Sequence, residues 1–389
     1  MVPLPAVRVS RKGAERVAAG HLWIYASDVT SRGEAQPGDA VRVVDPRGRT
    51  LGTAHYSSAS QICLRMLSTE VEPIDRGFFV KRLSAALYHR RRVVSGSEAY
   101  RLVHAEGDLL PALIVDRYGD YFVVQTLDQG MDRAKGEIVA ALTELVAPEG
   151  ILERNDATVR KREELPLVTG VLAGTVPERV AVRMNGLEFF VDLAGGQKTG
   201  LFLDQRENYL AAARYARGQA LDGFTSTGGF ALHLAARCEA VEAVDSSGAA
   251  LALAEANRQA NGIGNVTFRE ANVFDVLSGY AAAGRRFQTV VLDPPAFARS
   301  RDALEAATRG YKEINYRALR LLEAGGVLVT CSCSQHLSEA EFLEIVAAAA
   351  VDSGRRLRVL ERRTQAQDHP ILLTVPETHY LKCLILQVL

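Results

Sequence analysis

The amino-acid sequence predicts an α/β protein whose C-terminal half is a doubly wound sheet, preceded by a small β-barrel domain and an α+β middle domain. The prediction depends on three observations. Short β-rich runs broken by turn residues fill the first 70 residues, and a long helical pattern opens the next segment. From about residue 218, near-continuous apolar strands alternate with helices, which is typical of a parallel sheet. We therefore expect domains at 1–70, 71–185 and 186–389.

The composition is that of an ordinary globular protein. Of its 389 residues, 48% are hydrophobic and 24% are charged, and the formal net charge is zero. No apolar run has the length of a signal peptide or a membrane span, so we expect a cytoplasmic protein without a membrane partner. Five scattered cysteines without paired C-x-x-C spacing argue against a disulfide framework and against a metal site.

The first domain is predicted from "GDAVRVVDPRGRTLGTAHYSSASQICLRML", which begins at residue 38. Its short β-rich runs are separated by turn residues such as Asp45-Pro46-Arg47-Gly48, a pattern that indicates a small barrel. Residues 1–70 carry nine Lys and Arg against six Asp and Glu. This weakly basic balance fits RNA contact and an ordinary solvated surface equally well.

The middle domain opens with a helical pattern over residues 78–94, with apolar residues at Phe78, Leu83 and Leu87. Its basic end, residues 89–92, either contacts phosphate or complements the C-terminal dipole of the helix, and we favour the second interpretation. Strand-like stretches "ALIVDRYGDYFVVQTL" and "EGILERND" then flank a predicted helix, and "LEFFVDL" follows. The apolar strands of this domain permit a homodimer without requiring one.

Polar residues follow three successive strands of the predicted C-terminal sheet. Gly228 and Gly229 open a helix after the first strand, Asp245 ends the second, and Asn272 follows the third. Singly, each polar residue is typical of a helix cap, but together they favour a ligand site at the carboxyl ends of the strands. Asp245 suits the hydroxyls of a ribose and Asn272 an adenine edge. The absence of G-x-G-x-x-G favours a cofactor without a pyrophosphate.

The fourth strand ends in Asp293-Pro294-Pro295-Ala296-Phe297. Two successive prolines fix the backbone, so they make a rigid corner that aims a carboxylate and a carbonyl at one place. Such a corner can orient an amino group on a planar base, with Phe297 as a stacking or wall residue.

The motifs "DGFTSTGGF", "AVDSS", "LDPPAF" and "GGVLVTCSCS", in this order, resemble the class I S-adenosylmethionine-dependent methyltransferases, which contain a Rossmann-like sheet. Upstream, "QKTGLFLDQREN", "HAEGDLLPALIVDRYGDY" and "KGAERVAAGHLWIYASDV" resemble one branch, the large-subunit (23S) rRNA 5-methylcytosine methyltransferases with an N-terminal PUA RNA-binding domain. The resemblance covers almost the whole chain. It implies S-adenosylmethionine as cofactor and large-subunit rRNA as partner.

The resemblance also implies roles for individual residues. The methionine moiety and nearby backbone are assigned to Lys198, Phe202, Asp204, Gln205 and Arg206, and the glycine loop to Asp222, Phe224, Thr227 and Gly228. Asp245 is assigned to the ribose, Asp293 to the methyl-transfer pocket, and Pro294, Pro295 and Phe297 to the substrate.

Two positions depart from the pattern of these relatives. In Phe224-Thr225-Ser226-Thr227, Ser226 stands where relatives usually carry an aromatic residue before the threonine, and Asn272 stands where Asp is commoner. Asparagine can still meet an adenine edge, but as a neutral partner it should bind less strongly than a carboxylate.

The paired cysteines of "TCSCS" suit methylation at C5 of a pyrimidine. That carbon becomes nucleophilic when a thiolate adds to C6. Side chains alternate along a strand, so Cys331 and Cys333 share a face, and the one nearer the carboxyl end is better placed to reach a ligand. We therefore predict Cys333 as the nucleophile and Cys331 as its buried neighbour. Three further cysteines are expected in the core, away from any cluster at the strand ends: Cys63, Cys238 and Cys383.

The sequence does not assign the base that removes the C5 proton after methyl transfer; Asp293, a water or Cys331 could serve. Two other functions stay open. A methyltransferase acting on an exocyclic amine of guanine or adenine in RNA would need no thiol, and an RNA-binding assembly factor would need no cofactor. For RNA contact, the hypothesis is a basic groove formed by the first two domains. Its candidate residues are Arg8, Arg11, Lys12, Arg16, Arg154, Arg160, Lys161 and Arg162.

Overall fold

The computed structural model describes residues 4–195, 200–297 and 304–389. The chain divides into two compact units. The first comprises Met1–Val182, Val191–Gly200 and Gln367–Thr378, and the second comprises Arg183–Phe190, Leu201–Ala366 and His379–Leu389. In the described part of the chain, no helix combines the length and the apolar character needed to cross a membrane.

The N-terminal part of the first unit is built around a sheet, as the short β-rich runs predict. Its elements are β1 (Ala6–Val9), α1 (Arg11–Ala18), β2 (Trp23–Tyr25), β3 (Val29–Ser31), β4 (Ala40–Val44), β5 (Thr50–Tyr56) and β6 (Ile62–Ser68). The strands lie in the order β2-β6-β5-β4-β1-β3. Alternate residues of these strands, such as Val41, Val43 and Leu64, form a fully buried core.

A second sheet with two long helices follows in the same unit. The elements are α2 (Arg76–Val93), β7 (Ala99–His104), β8 (Leu113–Tyr118), β9 (Tyr121–Thr126), α3 (Gln129–Arg133), α4 (Lys135–Val146), β10 (Gly150–Asn155) and β11 (Val168–Gly174). The strand order is β11-β10-β9-β8-β7. Helix α2 begins after Asp75, whose carboxylate accepts the N–H of Phe78 at 3.1 Å.

The basic end of α2 does not lie wholly at the surface. Arg90 is 1% exposed and forms a bidentate ion pair with Asp108, with one of the two hydrogen bonds at 2.7 Å. Its guanidinium also donates to the carbonyl of Asp368, which lies on the Gln367–Thr378 segment, at 2.8 Å. The carboxylate of Asp368 accepts the backbone N–H of Arg101 at 2.9 Å. Arg90 is therefore a buried structural residue, neither a phosphate contact nor a simple partner of the helix dipole.

The second unit contains the alternating strands and helices that the sequence predicts. Before them, β12 (Arg179–Met184) and β13 (Leu187–Asp192) form a hairpin of which only Arg183–Phe190 belongs to this unit. The elements that follow are α5 (Arg206–Tyr215), β14 (Gln219–Gly223), α6 (Gly229–Leu234), β15 (Ala240–Asp245), α7 (Gly248–Ala260), β16 (Val266–Glu270), α8 (Val273–Ala282), β17 (Phe287–Leu292), α9 (Leu304–Leu321), β18 (Leu322–Ser332), α10 (Glu339–Asp352), β19 (Leu357–Arg363) and β20 (Lys382–Val388).

The strand order in this sheet is β16-β15-β14-β17-β18-β20-β19. Strands β14 to β18 pair in parallel, as expected for a doubly wound sheet. Strand β20 runs antiparallel to both β18 and β19, so the parallel pairing ends at β18, and the direction of this edge was not predicted. The reason is that a buried apolar strand such as "KCLILQV" carries no sign of its direction.

Candidate active site

The carboxyl ends of three neighbouring strands bring the predicted site residues together. Gly223 of β14 pairs with Leu292 of β17, and Leu292 in turn pairs with Thr330 of β18. The backbone N–H of Asp293 donates to the carbonyl of Gly223 at 3.3 Å. Asp222, Asp293 and the cysteine pair therefore lie at one edge of the sheet, where parallel α/β sheets bind ligands.

The loop after β14 is folded tightly around Asp222. Its fully buried carboxylate accepts, through Oδ2, the hydroxyl of Thr225 at 2.6 Å and the N–H of Ala231 at 2.9 Å. Its other oxygen, Oδ1, is buried without a hydrogen-bond partner among the described residues. Burial, opposed by the Thr225 hydroxyl, raises the pKa of Asp222 to about 7. A buried acceptor of this kind suits a donor group of a ligand.

Three residues of the loop have left-handed backbone conformations: Phe224 (φ 67°), Ser226 (φ 50°) and Gly228 (φ 87°). Only Gly228 adopts such a φ without strain. Gly229 is needed for a different reason, because a Cβ there would lie 2.5 Å from the ring of Tyr209. The loop geometry thus accounts for both glycines of "STGGF", while Thr227, predicted for cofactor contact, is half-buried within it.

Asp245, at the end of β15, fixes the other side of the loop. Its carboxylate accepts the N–H of Ser226 at 2.9 Å through Oδ2 and the N–H of Ser247 at 2.9 Å through Oδ1. Asp245 is partly exposed, and a carboxylate has about four acceptor positions in all. It can therefore hold the loop and still accept the hydroxyls of a ribose.

Asn272 lies where the sequence predicts it, directly after β16, and it is exposed. Its Oδ1 accepts the N–H of Phe274 at 2.9 Å, so it caps helix α8. The cap interpretation and the ligand interpretation are compatible here, because capping uses one lone pair of Oδ1 and leaves the other to accept a hydrogen bond from an adenine amino group.

Residues 202–206 pack close to this edge, whereas Lys198 lies outside the described residues. Asp204 is buried and accepts the hydroxyl of Tyr380 at 2.8 Å. Gln205 and Arg206 are 2% and 3% exposed, and Phe202 is partly exposed. Gln205 and Arg206 therefore have little surface left for a ligand, and the role that the resemblance implies for residues 202–206 stays a prediction.

Tyr209 is a central residue of the site that the sequence analysis did not find. It is buried on α5, and its hydroxyl donates to the carbonyl of Phe202 at 3.3 Å. Burial, followed by the nearby carboxylates of Asp293, Asp204 and Asp222, raises its pKa well above the ordinary value. A tyrosine in a helical pattern carries no signal by itself, so only the fold reveals this cluster of acidic groups.

The Asp-Pro-Pro corner lies at the end of β17, with Asp293 partly exposed, Pro294 buried and Pro295 exposed. The ring of Phe297 packs against Tyr311 at a centroid distance of 4.6 Å and against Phe274 at 6.1 Å. Because its ring packs in this aromatic cluster, its position favours the role of a wall over that of a stacking platform.

The two cysteines of "TCSCS" lie in different environments. Cys331 is fully buried and pairs across the sheet with Cys383 of β20. Burial, reinforced by Cys383, raises the pKa of the Cys331 thiol well above its ordinary value. Cys333 lies just beyond the end of β18 and is partly exposed. Cys63, Cys238 and Cys383 are buried as predicted, but Cys383 is not remote from the strand-end cluster, since it lies beside Cys331.

The basic residues predicted to contact RNA fall into two groups. Arg160 is fully buried and bonded to Asp132 at 3.0 Å, and Arg154 is 4% exposed and donates to the carbonyl of Leu193 at 2.7 Å. The prediction of RNA contact is therefore wrong for these two residues, since their guanidinium groups complete the fold of the first unit. The remaining candidates are exposed or partly exposed: Arg8, Arg11, Lys12, Arg16, Lys161 and Arg162.

Comparison with known proteins gives two family matches. Residues 7–69 match a PUA-like domain, and residues 156–385 match the S-adenosylmethionine-dependent methyltransferases. The chain is 42% identical over 377 residues to a protein of Tolumonas auensis named ribosomal RNA large subunit methyltransferase I, covering 94% of this chain and 95% of that protein. A Vibrio vulnificus protein of the same name is 41% identical over 382 residues, covering 95% of this chain and 96% of the relative.

Two solved structures share the fold over nearly the whole chain. A methyltransferase in complex with S-adenosylhomocysteine superposes with a TM-score of 0.85 at 21% identity, covering 98% of this chain and 100% of its own. An S-adenosylmethionine-dependent methyltransferase from Streptococcus mutans gives a TM-score of 0.83 at 21% identity, with coverage of 98% and 100%.

Proposed function

The chain belongs to the S-adenosylmethionine-dependent methyltransferases, and from this premise we propose that it methylates C5 of a cytosine in large-subunit ribosomal RNA. Its cofactor is S-adenosylmethionine, which supplies an electrophilic methyl group when bound. The substrate class is supported by the relatives named ribosomal RNA large subunit methyltransferase I and by the PUA-like domain. The choice of C5 is carried by one observation: a partly exposed cysteine, Cys333, beside the strand ends that carry Asp222 and Asp293.

The residues of this edge fit the cofactor on structural grounds. The buried oxygen of Asp222 offers an acceptor to an ammonium or hydroxyl donor, and Asp245 has acceptor positions left for the ribose hydroxyls. Gly228 lets the backbone come close to a ligand, because it adopts a positive φ and carries no Cβ. Asn272 contributes a neutral partner for the adenine edge.

In the proposed reaction, the Cys333 thiolate forms a bond to C6 of the cytosine, and the displaced electron pair makes C5 nucleophilic. Pro294 and Pro295 fix the corner that positions the base, and Phe297 forms a wall of the pocket. After methyl transfer to C5, a base removes the C5 proton, the C5=C6 bond reforms, and the C6–S bond breaks to release the thiolate. Asp293 is the better candidate for this base, because burial keeps the Cys331 thiol protonated.

We also propose the division of labour among the three parts of the chain. Residues 1–70 would act as the RNA-binding PUA domain, residues 71–185 as an RNA platform, and residues 186–389 as the methyltransferase domain. A protein that modifies ribosomal RNA would work in the cytoplasm. A homodimer formed through the middle domain is a further part of this proposal, which sedimentation of the full chain would test.

The experiment is a single-turnover assay of Cys333→Ala and Cys331→Ala with labelled S-adenosylmethionine on unmodified large-subunit rRNA, followed by nucleoside analysis. We expect loss of 5-methylcytosine by at least about a thousandfold in Cys333→Ala alone, with cofactor affinity intact. Cys331→Ala is the matched control, since Cys331 lies two residues earlier in the chain and is fully buried. Methyl groups on an exocyclic nitrogen, or retained methylation in both variants, would instead favour the base-amine methyltransferase. Failure of the wild type to bind cofactor would favour the assembly factor.

A further inference from the structure

Lys382 is a buried lysine that the proposed mechanism has not used. It begins β20, where its backbone pairs with Ser332 of β18, and the residue is 3% exposed. Its ammonium donates to the carbonyl of Ser334 at 2.6 Å and to the carbonyl of Tyr380 at 2.8 Å. Ser332 and Ser334 flank Cys333 in the chain. The ammonium is therefore fixed to the same turn of backbone that presents the proposed nucleophile.

The two carbonyls hold the ammonium but do not neutralise its charge. Burial lowers the pKa of Lys382 to about 8, and nearby acidic groups, with Cys333 first and then Glu341 and Glu339, oppose this shift. A buried ammonium is costly unless an anion accompanies it. The site thus places a positive charge in a low-dielectric region, hydrogen-bonded to the carbonyl of the residue that follows Cys333.

The two carboxylates near Lys382 are engaged with other groups. The carboxylate of Glu341 accepts the backbone N–H of Ser338 at 2.7 Å, and the N–H of Glu341 donates to Oγ of Ser338 at 3.2 Å, which makes the capping box of α10. Glu339 accepts Nε of Arg362 at 2.7 Å. On the other side of Cys333, the hydroxyl of Tyr311 lies 3.0 Å from Oγ of Ser334 and is a neutral group. Cys333 immediately precedes the residue whose carbonyl the ammonium binds, whereas both carboxylates are held by other donors.

We propose that Lys382 is a positioning residue that stabilises Cys333 as a thiolate and fixes the end of β18 toward the substrate. The effect of Lys382 on catalysis rests on the proposed function, but its effect on the ionisation of the Cys333 thiol does not. The thiol proton goes to solvent, and the resulting thiolate stays beside the ammonium. When the C6–S bond forms, the negative charge moves from sulfur onto the pyrimidine, and it returns to sulfur beside Lys382 when that bond breaks.

The test measures the thiol directly, without turnover. The full-length protein is alkylated with iodoacetamide across a range of pH, and the rate at Cys333 is read by mass spectrometry of its peptide. The other four cysteines are buried, so they should react slowly. The variants are Lys382→Met, which keeps an apolar stem, and Lys382→Arg, which keeps the charge. Lys312→Met is the matched control, because Lys312 is a partly exposed lysine of the same unit paired with Asp352.

We expect the alkylation midpoint to rise by about one to three pH units in Lys382→Met, the range typical of a lost opposite charge. Lys382→Arg should retain a low midpoint, and Lys312→Met should match the wild type. In single-turnover methylation at neutral pH, Lys382→Met should be slower by about tenfold for every pH unit by which the midpoint rises, with unchanged cofactor affinity. Thermal denaturation verifies that each variant is folded.

An unchanged alkylation midpoint in folded Lys382→Met would overturn the inference. Loss of a lysine that only holds carbonyls together would lower stability without changing the pKa of the Cys333 thiol. If Lys382→Met does not fold, Lys382→Arg is compared with the wild type instead. An alkylation midpoint of Cys333 in Lys382→Arg as high as in the denatured chain would also overturn the inference. The proposed function fails on a different result, retained C5 methylation in Cys333→Ala. The two failures are therefore distinguishable.

Discussion

The hydroxyl of Thr225 donates at 2.6 Å to Oδ2 of Asp222, and this is the same oxygen that accepts the N–H of Ala231. Both donors of the loop are thus satisfied by one oxygen of the carboxylate, while Oδ1 has no hydrogen-bond partner among the described residues. The asymmetry separates the two roles of Asp222. One oxygen organises the loop, and the other is left for a ligand.

We expect Asp222→Asn to stabilise the cofactor-free protein at pH 8 while weakening cofactor binding by about tenfold or more. The amide oxygen can accept both loop donors, but the amide nitrogen replaces the acceptor that the ligand needs. Burial raises the pKa of Asp222 to about 7, so its contribution to stability is present below about pH 4 and is lost as pH rises through 7.

The difference in melting temperature between Asp222→Asn and the wild type should therefore grow from pH 5 to pH 8. Calorimetric titration with S-adenosylmethionine measures the affinity. Thr225→Val serves as the control, since it removes a loop donor and leaves Oδ1 unchanged. Equal cofactor affinity in Asp222→Asn and the wild type would show that Oδ1 does not face the ligand.

Asp245→Ala should weaken cofactor binding by at least about tenfold and lower the free energy of unfolding by about 2 kcal/mol. The stability loss follows because the N–H groups of Ser226 and Ser247 lose their shared acceptor. Asp245→Asn keeps one acceptor oxygen, so its cofactor affinity and its stability should lie between those of the wild type and Asp245→Ala. Titration calorimetry and urea denaturation check the two effects, and a loss of stability with unaltered cofactor affinity would assign Asp245 to the loop alone.

Asn272→Asp should raise cofactor affinity by a few-fold and stabilise helix α8 by about 0.5 kcal/mol. A carboxylate caps the helix as Asn272 does and adds a negative charge at its N-terminus, where it also accepts a hydrogen bond from an adenine amino group more strongly. Affinity is measured by titration with S-adenosylmethionine, and with S-adenosylhomocysteine as a second ligand. Better stability without better affinity would leave Asn272 as a cap only.

Substitutions of neighbouring basic residues in the first unit should differ in their effect on the free energy of unfolding. Arg160→Ala should lower the free energy of unfolding by about 1–3 kcal/mol, because the carbonyl of Thr126 loses its buried donor, while Asp132 retains Lys135 as a partner. Lys161→Ala with Arg162→Ala should leave stability nearly unchanged, since both side chains are exposed. Urea denaturation of the two variants makes this comparison.

The same pair of residues should affect RNA binding. We expect the Lys161→Ala, Arg162→Ala double variant to weaken binding to large-subunit rRNA and to reduce the salt dependence of its affinity. Filter binding at several salt concentrations gives both quantities. A wild-type affinity that did not fall between low and moderate salt would exclude phosphate contact by this surface.

The pattern of the C-terminal half was sufficient to predict strands β14 to β18 and the edge at which we expect the site. Gly228, Asp245, Asn272 and Asp293 each follow a strand in the sequence, and parallel pairing brings such positions together. The direction of β20 was not predictable, because a buried apolar strand reads alike in both directions. Strand β20 supplies Cys383 and Lys382. Because its direction was unknown, the residues around Cys331 and Cys333 could not be predicted.

The burial of individual charged residues could not be predicted from the sequence either. In "TVRKREE", Arg160, Lys161 and Arg162 have the same chemical character, and only the turn of the chain sends Arg160 inward to Asp132. Tyr209 was missed for a similar reason, because its importance comes from residues that are distant in sequence. Hydrophobic periodicity predicts which face of a helix or strand is buried, whereas the contacts of Arg160 and Tyr209 depend on tertiary packing.

The Asp368 contacts of the first unit have a consequence for biosynthesis. Arg90 and Arg101 donate to a residue 278 and 267 positions further along the chain. During translation, most of the first unit emerges long before Asp368 does, with the intervening second unit made in between. The nascent chain must therefore hold Arg90 with Asp108 and the carbonyl of Arg101, without the Asp368 acceptor, until synthesis is nearly finished. Truncation shortly before Asp368 should damage the N-terminal unit, although the deleted residues lie at the opposite end of the polypeptide.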